Sequence, residues 1–173
     1  GSSALILALK VMNFKKDREI ITPCLNFGTA VSSIMLSDFK TILVDCEVDT
    51  LQIDVNKIEE KITKKTKALL IPNLIGNIPD WKKIREIANK YKLIVIEDSA
   101  DTLGASIKNK PTGIYSDISI TSFYGSHIIS CAGNGGMFLT NNKNFFTRAK
   151  VLRSWGRESS LINDSENIKK RLG

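Results

Sequence analysis

The sequence predicts an α/β protein with a mostly parallel sheet and helices on both faces. Residues 67–72 are continuously apolar after Lys67 and residues 93–96 throughout, which is typical of strands buried on both faces of a parallel sheet. Residues 81–91 carry apolar side chains at helical spacing, as expected of an amphipathic helix between two such strands. Strands that alternate with helices of about ten residues, without early hairpin signals, predict βαβ units and therefore parallel strand pairing.

The other elements of the first half are predicted from local composition. The apolar segment after Gly1, Ser2 and Ser3 is typical of a helix, for which the glycine and the two hydroxyl side chains are candidate caps. Asp54 is a candidate cap for a later helix. The predicted elements are a helix at 4–12, a strand at 19–23, a helix that opens at 26–31 and ends near Ser37, a strand at 41–45 and a helix at 55–62.

The second half contains two predicted strands that enclose an irregular loop. Residues 118–123 alternate Ile, Ser, Ile, Thr, Ser and Phe, and residues 137–140 are again strand-like. A turn at 108–113 precedes these strands. A helix capped by Asn141-Asn142 follows them, from Lys143 to about Trp155. The loop between the two strands is therefore held between two elements of the sheet.

This loop contains His127, the only histidine of the chain. Four glycines surround it, as the backbone requires where it takes a positive φ or approaches a bound group. A positioned imidazole in such a loop favours acid–base chemistry, whereas a structural histidine in a glycine-rich turn is the alternative. The four glycines are Gly125, Gly133, Gly135 and Gly136.

Two further places are candidate binding sites on general physical grounds. The helix N-terminus at Gly1, Ser2 and Ser3 has free N–H groups and a positive dipole end that suit a phosphate, although a simple capped helix fits the same residues. Asp98 follows the strand at 93–96, where open α/β sheets bind ligands, and an aspartate there can pair with a ring nitrogen. A carboxylate that caps a turn is the alternative for Asp98.

Composition limits the class of protein. The 173 residues, 42% of them hydrophobic, suffice for a core, and we expect a single domain over 1–173. No stretch has the apolar length of a membrane span and no signal sequence precedes the first helix, so we expect a cytoplasmic protein without membrane partners. The three cysteines are widely separated and predict neither a disulfide framework nor a metal site. The net charge of +7 comes from dispersed lysines, which favours solvated surfaces or an anionic substrate over nucleic acid.

Several motifs resemble those of one enzyme family. Residues 122–127, Ser-Phe-Tyr-Gly-Ser-His, and 135–137, Gly-Gly-Met, resemble the lysine loop of the DegT/DnrJ/EryC1/StrS nucleotide-sugar aminotransferases. That family consists of pyridoxal 5′-phosphate (PLP) enzymes of aminotransferase fold type I. Residues 22–27, 49–54 and 97–105 resemble further motifs of the family in the same order. The resemblance covers essentially the whole chain and implies the large, PLP-binding domain of that fold.

The resemblance implies roles for residues at the matching positions. Asp98 would pair with the pyridine nitrogen of PLP, and Phe27 would stack on its ring, with a core phenylalanine as the alternative. Asp101 would lie near the cofactor's 3-oxygen, where many members have glutamine. The residues implied to hold the cofactor phosphate are Gly1, Ser2, Ser3 and Ser122.

Histidine at position 127 is the main departure from the aminotransferases. The family's usual lysine holds PLP as a Schiff base, whereas histidine resembles the PLP-dependent 3-dehydratases of nucleotide-linked 4-keto-6-deoxyhexoses. For that branch the resemblance implies non-covalent pyridoxamine 5′-phosphate, condensed to the sugar's C4 ketone. His127 would be the base that takes a proton from the cofactor's C4′ before the 3-hydroxyl leaves. The resemblance also implies a homodimer, glutamate as a candidate amino donor, and surface polysaccharide or lipopolysaccharide biosynthesis.

The C-terminal tail separates this chain from another dehydratase subgroup. Residues 157–173 contain no cysteine, whereas that subgroup has clustered cysteines there for a [2Fe–2S] cluster, so we expect no iron–sulfur cluster. The family has further N-terminal elements and a C-terminal small domain, so we expect this chain to be the central part of the large domain and inactive alone. The alternatives are sugar amination by a close relative, an incomplete non-catalytic homologue, and a basic nucleic-acid-binding domain.

Overall fold

The computed structural model describes residues 1–161, in which helices alternate with the strands of a sheet. The helices are α1 (Ser2–Val11), α2 (Gly28–Leu36), α3 (Trp81–Tyr91) and α4 (Lys143–Arg153). The strands are β1 (Glu19–Pro23), β2 (Lys40–Val44), β3 (Thr66–Pro72), β4 (Ile94–Asp98), β5 (Ser106–Ile107), β6 (Lys110–Pro111), β7 (Ile118–Ser122) and β8 (Gly136–Leu139). None of these described helices combines the length and the apolar character that crossing a bilayer needs.

Six strands of the described chain form one sheet in the order β2-β1-β3-β4-β7-β8. β2, β1, β3, β4 and β7 are parallel, and β8 runs antiparallel to β7. Parallel neighbours need crossover connections, which α2 and α3 supply. β5 and β6, which have two residues each, form a separate antiparallel hairpin at the start of the turn predicted at 108–113. The predicted mostly parallel sheet is confirmed.

Helices cover both faces of the sheet. One face packs against α1, α2 and α4, and the other packs against α3. In β3, Ala68 and Leu70 belong to the first core cluster, whereas Leu69 and Ile71 belong to the second. Successive side chains of a strand point to opposite faces, so a strand covered on both sides tends to be apolar at consecutive positions. The continuous apolar segment in the sequence therefore marks a central strand.

The predicted helix at 55–62 is wrong. The chain instead forms two short 3-10 turns, Val55–Lys57 and Glu59–Lys61. Asp54 caps the first turn as predicted, because its carboxylate accepts a hydrogen bond from the Asn56 N–H at 3.0 Å. Ile58 is fully buried between the two turns. The Lys57 N–H donates to the Asp54 carbonyl at 3.0 Å and the Lys61 N–H to the Ile58 carbonyl at 3.1 Å, which are the i→i+3 bonds of 3-10 turns rather than the i→i+4 bonds of an α-helix.

A buried polar network lies under the C-terminal ends of β3 and β4. The Asn73 side chain accepts a hydrogen bond from Trp81 Nε1 at 2.8 Å and donates one to Glu97 Oε1 at 2.9 Å. Ser99 Oγ also donates to Glu97 Oε1, at 2.6 Å. Trp81, Asn73 and Glu97 are at most 1% exposed, so these bonds replace hydrogen bonds that water would make, although Glu97 Oε2 is buried without a partner among the described residues. The network ties α3 to the strand that ends in Asp98.

Replacing Trp81 with phenylalanine is expected to destabilise the chain by about 1–3 kcal/mol, because Asn73 Oδ1 would lose its donor in a dry site. Urea unfolding followed by far-UV circular dichroism measures the change in free energy of unfolding. Trp155→Phe is the matched control, since Trp155 is 84% exposed and its loss should cost no more than about 0.5 kcal/mol. Equal unfolding midpoints for the two variants would mean that the network contributes nothing to stability.

Candidate functional site

One cavity of about 1930 Å³ lies beyond the C-terminal ends of β1, β3, β4 and β7. The chain goes from β1 to β2 on one side and continues with β3 on the other, so the strand order reverses at β1. Open α/β sheets bind ligands beside such a reversal, because the loops that leave neighbouring strands separate there and form a crevice. All the predicted site residues line this cavity, namely Gly1, Ser2, Ser3, Phe27, Asp98, Asp101, Ser122 and His127.

The N-terminus of α1 packs against the end of β7. A Cβ atom on Gly1 would lie 3.0 Å from Ser122 Cβ and 3.1 Å from Ser122 Oγ, so any other residue would require Ser122 to move by a few tenths of an ångström. The Gly1 nitrogen also donates to the Gly135 carbonyl at 3.3 Å. Ser122 Oγ accepts a hydrogen bond from the Tyr124 N–H at 3.3 Å, which leaves its hydroxyl hydrogen free to donate to an anion.

Of the three candidate caps of α1, the structure has Gly1 at the cap position rather than Ser2 or Ser3. Gly1 occupies the cap position without a side-chain hydrogen bond, and both serines are exposed within the first turn of the helix. The first N–H groups of a helix have no partner inside the helix, and no side chain of the described residues caps them here. They are therefore available to an anion in the cavity, with two serine hydroxyls beside them.

Asp98 ends β4 at the cavity wall and is 7% exposed. Its Oδ1 accepts a hydrogen bond from the Ala100 N–H at 3.0 Å, so the carboxylate also caps a turn, as the alternative prediction stated. Burial raises the pKa of Asp98 to about 6, against the opposing effect of the Ala100 N–H. A carboxylate that is this costly to ionise gains strongly from a cationic group placed beside it.

Phe27 is exposed in the cavity, so the alternative prediction of a core phenylalanine is wrong. It occupies the position before α2, and 69% of it is accessible. Asn26 holds this backbone: its Oδ1 accepts from the Phe27 N–H at 2.8 Å, and its Nδ2 donates to Thr22 Oγ1 at 2.9 Å. An exposed aromatic ring on the wall of a cavity offers a stacking surface to a flat ligand.

His127 lies in the loop at 123–135. Its backbone N–H donates to the Tyr124 carbonyl at 2.9 Å, and the two rings meet edge to face with centroids 5.7 Å apart. Nδ1 of the imidazole is buried and has no hydrogen-bond partner among the described residues. Nε2 lies 4.0 Å from Asp101 Oδ1. Because buried polar atoms are almost always hydrogen-bonded, Nδ1 is a candidate contact for a bound group.

The loop around His127 closes back on itself. The Phe123 N–H donates to the Gly135 carbonyl at 2.9 Å, and the Cys131 N–H donates to the Phe123 carbonyl at 3.2 Å. A Cβ atom on Gly135 would lie 2.9 Å from Cys131 Cβ, which is closer than side chains approach. Glycine at 135 is therefore required for the loop to close and to present the imidazole.

Sequence reasoning missed the role of Ile75. Its φ of 52° is left-handed, a rare conformation for a β-branched residue that costs about 1–3 kcal/mol. The Ile75 N–H donates to Asp101 Oδ2 at 3.2 Å, so Asp101 joins the loop after β3 to His127. The sequence around Ile75 reads as an ordinary apolar turn, and its only hint is the glycine that follows.

The cavity groups together define what the site can bind. Within residues 1–161, no three or more histidine, cysteine, aspartate or glutamate side chains are placed to hold a metal ion. The groups that are present offer donors to an anion, an aromatic stacking surface and a buried carboxylate for a cation. An imidazole beside a second carboxylate adds a proton-transfer group. This combination suits an anionic aromatic ligand that carries a basic ring nitrogen.

Comparison with known proteins shows a family match over almost the whole chain. The model of the DegT/DnrJ/EryC1/StrS aminotransferase family matches residues 1–172. Among curated proteins, GDP-perosamine synthase of Escherichia coli O157:H7 is 38% identical over 156 residues, which are 90% of this chain and 43% of that protein. The chain therefore spans less than half the length of the curated relatives that it matches.

Solved structures show the same fold. NtdA from Bacillus subtilis with bound cofactor PMP is 32% identical, with a TM-score of 0.82 over 87% of this chain and 34% of that one. GDP-4-keto-6-deoxymannose-3-dehydratase, solved with a trapped PLP-glutamate geminal diamine, is 26% identical, with a TM-score of 0.86 over 93% of this chain and 43% of that one. The predicted aminotransferase fold type I is confirmed by these likenesses.

Proposed function

The chain belongs to the DegT/DnrJ/EryC1/StrS aminotransferase family, and from this premise we propose that it is the cofactor-binding part of an enzyme that modifies a nucleotide-linked sugar with PLP or pyridoxamine 5′-phosphate. GDP-perosamine synthase and GDP-4-keto-6-deoxymannose-3-dehydratase, two of its relatives, are both named for GDP-linked sugars. The cofactor proposal rests on the fit of the cavity residues to such a group.

The cavity has a complementary group for each part of the cofactor. The N-terminus of α1 with Ser2, Ser3 and Ser122 would hold the phosphate. Phe27 would lie against the ring, and Asp98 would pair with the protonated ring nitrogen, which would offset the cost of ionising a buried carboxylate. Bound in this way, the cofactor would supply an electron sink. Its ring system would take up the electrons that remain when a bond close to its amino nitrogen breaks.

The proposed choice of reaction rests on the histidine at position 127. The loop at 123–135 contains no lysine, and an imidazole cannot replace a lysine amine as a stable covalent anchor for the cofactor. An imidazole is a common proton-transfer group in enzymes, and Nε2 of His127 lies 4.0 Å from Asp101 Oδ1. We therefore assign His127 as the proton-transfer group of a 3-dehydratase that acts on a nucleotide-linked 4-keto-6-deoxyhexose, in surface polysaccharide or lipopolysaccharide biosynthesis.

Sugar amination is the second candidate function. It is favoured by two GDP-perosamine synthases, which are 38% and 36% identical to the chain. The two reactions use the same class of keto sugar. They differ in whether C4 gains nitrogen or C3 loses its hydroxyl, so the product distinguishes them.

The complete enzyme is proposed to be longer than this chain and to be a homodimer. The chain spans 43% of GDP-perosamine synthase, which supports the proposal that 1–173 is the central part of a large domain followed by a small one. Large apolar side chains are exposed around the cavity, including Leu25, Ile75 and Tyr124, as expected where another domain or subunit packs. Glutamate is the proposed amino donor, because a glutamate adduct was trapped in the solved 3-dehydratase.

Product analysis of the complete enzyme tests the proposed function. The enzyme would be incubated with nucleotide-linked 4-keto-6-deoxyhexoses, glutamate and cofactor, and the products identified by mass spectrometry and NMR. We expect a 3-deoxy sugar. Repeated formation of a 4-amino sugar without a 3-deoxy product would contradict the dehydratase assignment and support amination. Neither product, in an enzyme that binds the cofactor, would support a non-catalytic homologue.

Replacing His127 with lysine is expected to create a covalent link between PLP and residue 127, because a lysine amine adds to the PLP aldehyde. Borohydride reduction followed by peptide mass spectrometry locates the link. His127→Gln, which places no basic amine in the loop, is the control and should give no adduct, like the wild type. A lysine variant that binds PLP but carries no adduct at residue 127 would show that this loop does not reach the cofactor.

A further inference from the structure

Two of the three cysteines meet at the sheet edge, away from His127. Cys24 follows β1 and is exposed, and Cys46 comes two residues after β2 and is half-buried. The register pairs Pro23 with Val44, and the Cys24 N–H donates to the Val44 carbonyl at 2.8 Å. Cys24 and Cys46 thus lie just beyond the C-terminal ends of two neighbouring strands, one residue out of register, which at strand spacing corresponds to a Cα separation of about 6 Å. That separation lies within the range that disulfides span, and because both residues lie outside the strands, the alternation of strand side chains between the two faces does not hold their thiols apart.

One carboxylate oxygen organises both cysteines. Asp45 Oδ1 accepts from the Cys24 thiol at 3.6 Å and from the Cys46 backbone N–H at 2.9 Å. Lys57 pairs with the other oxygen of Asp45 at 3.3 Å. The Cys46 N–H, followed by Lys57, holds the pKa of Asp45 below its ordinary value, so this anchor stays charged at neutral pH. The two cysteines are therefore held side by side by a fixed group.

The two thiols differ in environment. Burial raises the pKa of the Cys46 thiol, the Leu25 N–H opposes this, and the neighbouring Cys24 thiol adds to the rise. Cys24 is exposed at a small cleft of about 360 Å³ that Lys57, Lys61, Asp45 and Glu60 also line, so neither charge is in excess there. Access therefore distinguishes the two thiols: a small disulfide can reach Cys24 first, and Cys46 is then the resolving cysteine.

We propose that Cys24 and Cys46 form a reversible dithiol–disulfide site whose oxidant is a low-molecular-weight disulfide of the glutathione type. The Cys24 thiolate attacks one sulfur of the small disulfide, forms a mixed disulfide and releases one small thiol. The Cys46 thiolate then attacks the Cys24 sulfur, forms the Cys24–Cys46 bond and releases the second small thiol. The protein loses two electrons and two protons, and the small disulfide gains them.

The two cysteines lie next to a segment that forms part of the wall of the main cavity. Leu25 and Phe27 follow Cys24 directly and both line that cavity. A Cys24–Cys46 bond would tether this segment to the end of β2 and restrict its movement. The proposed modification does not depend on the proposed enzyme function, because it needs only the two thiols and a small disulfide.

The test maps disulfides in the native chain after incubation with oxidised glutathione. Acid quenching, alkylation of free thiols, digestion and mass spectrometry identify each cysteine. We expect a Cys24–Cys46 peptide pair that reducing agent abolishes, whereas Cys131 is alkylated or carries glutathione. A persistent glutathione adduct on Cys24 with Cys46 still alkylated would overturn the proposal, as would disulfides formed only between chains.

Two variants sharpen this test. Cys24→Ser should reduce the intramolecular disulfide to background and leave Cys46 alkylated. Cys131→Ser is the matched control and should leave the yield of the Cys24–Cys46 bond unchanged. An unchanged amount of intramolecular disulfide in Cys24→Ser, or its loss in Cys131→Ser, would contradict the assigned pair. The wild-type map does not require either variant to fold.

Discussion

Replacing His127 with asparagine is expected to slow formation of the 3-deoxy product by roughly a hundred- to ten-thousand-fold while the cofactor stays bound. Asparagine cannot exchange a proton near neutral pH, so the proton-transfer role is lost. The groups that we propose to hold the cofactor, at the N-terminus of α1 and at Phe27, Asp98 and Ser122, are unchanged by this substitution. Product formation at saturating sugar gives the rate, and equilibrium dialysis gives the cofactor affinity.

A second change in the same loop controls for disturbance of the loop itself. Ser130 is exposed and does not line the cavity, so Ser130→Ala should keep the wild-type rate. If His127→Asn retained a rate within tenfold of the wild type with unchanged affinity, another group would have to move the proton. A parallel loss of cofactor affinity would instead assign His127 to binding.

Replacing Asp98 with asparagine is expected to have opposite effects on stability and on activity. Without cofactor, the buried carboxylate has a pKa of about 6, whereas in the unfolded chain its pKa is about 4. Two pKa units correspond to roughly 3 kcal/mol, by which the buried charged carboxylate lowers the free energy of unfolding at neutral pH. An uncharged asparagine would avoid this loss. In the complete enzyme, asparagine would remove the charge that favours a protonated ring nitrogen, which we expect to lower turnover on the order of ten- to a thousand-fold.

The sign of the pH effect follows from proton binding. Between about pH 4 and 6 the folded chain holds a proton on Asp98 that the unfolded chain has released. The stabilising contribution of this group is therefore fully present below pH 4 and is lost as the pH rises through 6. Asp98→Asn should consequently unfold at higher urea than the wild type at pH 7, and at similar urea at pH 4.

Asp80→Asn is the control for the Asp98 variant. Asp80 is exposed and caps α3 by accepting a hydrogen bond from the Lys83 N–H, a role that asparagine fills equally well. Its pH profile should match that of the wild type. Identical urea midpoints for Asp98→Asn and the wild type at pH 7 would show that burying the carboxylate costs nothing. Identical turnover would remove Asp98 from the candidate site.

Much of the fold was predictable because its causes are local in the chain. β3 is apolar over residues 68–72 and β4 over 94–96, and α3 has its own amphipathic period, so each element is recognisable without its neighbours. Alternation of strands and helices then restricts the topology to parallel pairing. The segment at 55–62 was mispredicted because two consecutive 3-10 turns can follow an aspartate cap and bury one apolar side chain just as a short α-helix can.

The residues of the candidate site likewise include some that the local sequence predicts and some that only the tertiary structure brings together. His127 and Asp98 were recognisable from residue type and position, since a lone histidine among glycines and an aspartate after a buried strand are local features. The link from Ile75 to Asp101 was not, because it joins residues 26 positions apart in the chain. The left-handed backbone at Ile75 was likewise not predictable, because a β-branched residue rarely adopts it.

The amino-acid pattern determined the α/β class, the order of the elements and the chemical groups available for a site. Only the tertiary structure decided the environment of those groups: the burial that raises the pKa of Asp98, the exposure of Phe27 and the meeting of Cys24 with Cys46. Burial and contact through space depend on which strands become neighbours. In this sheet β1 lies between β2 and β3, so residues that are distant in the chain lie together at the C-terminal ends of these strands.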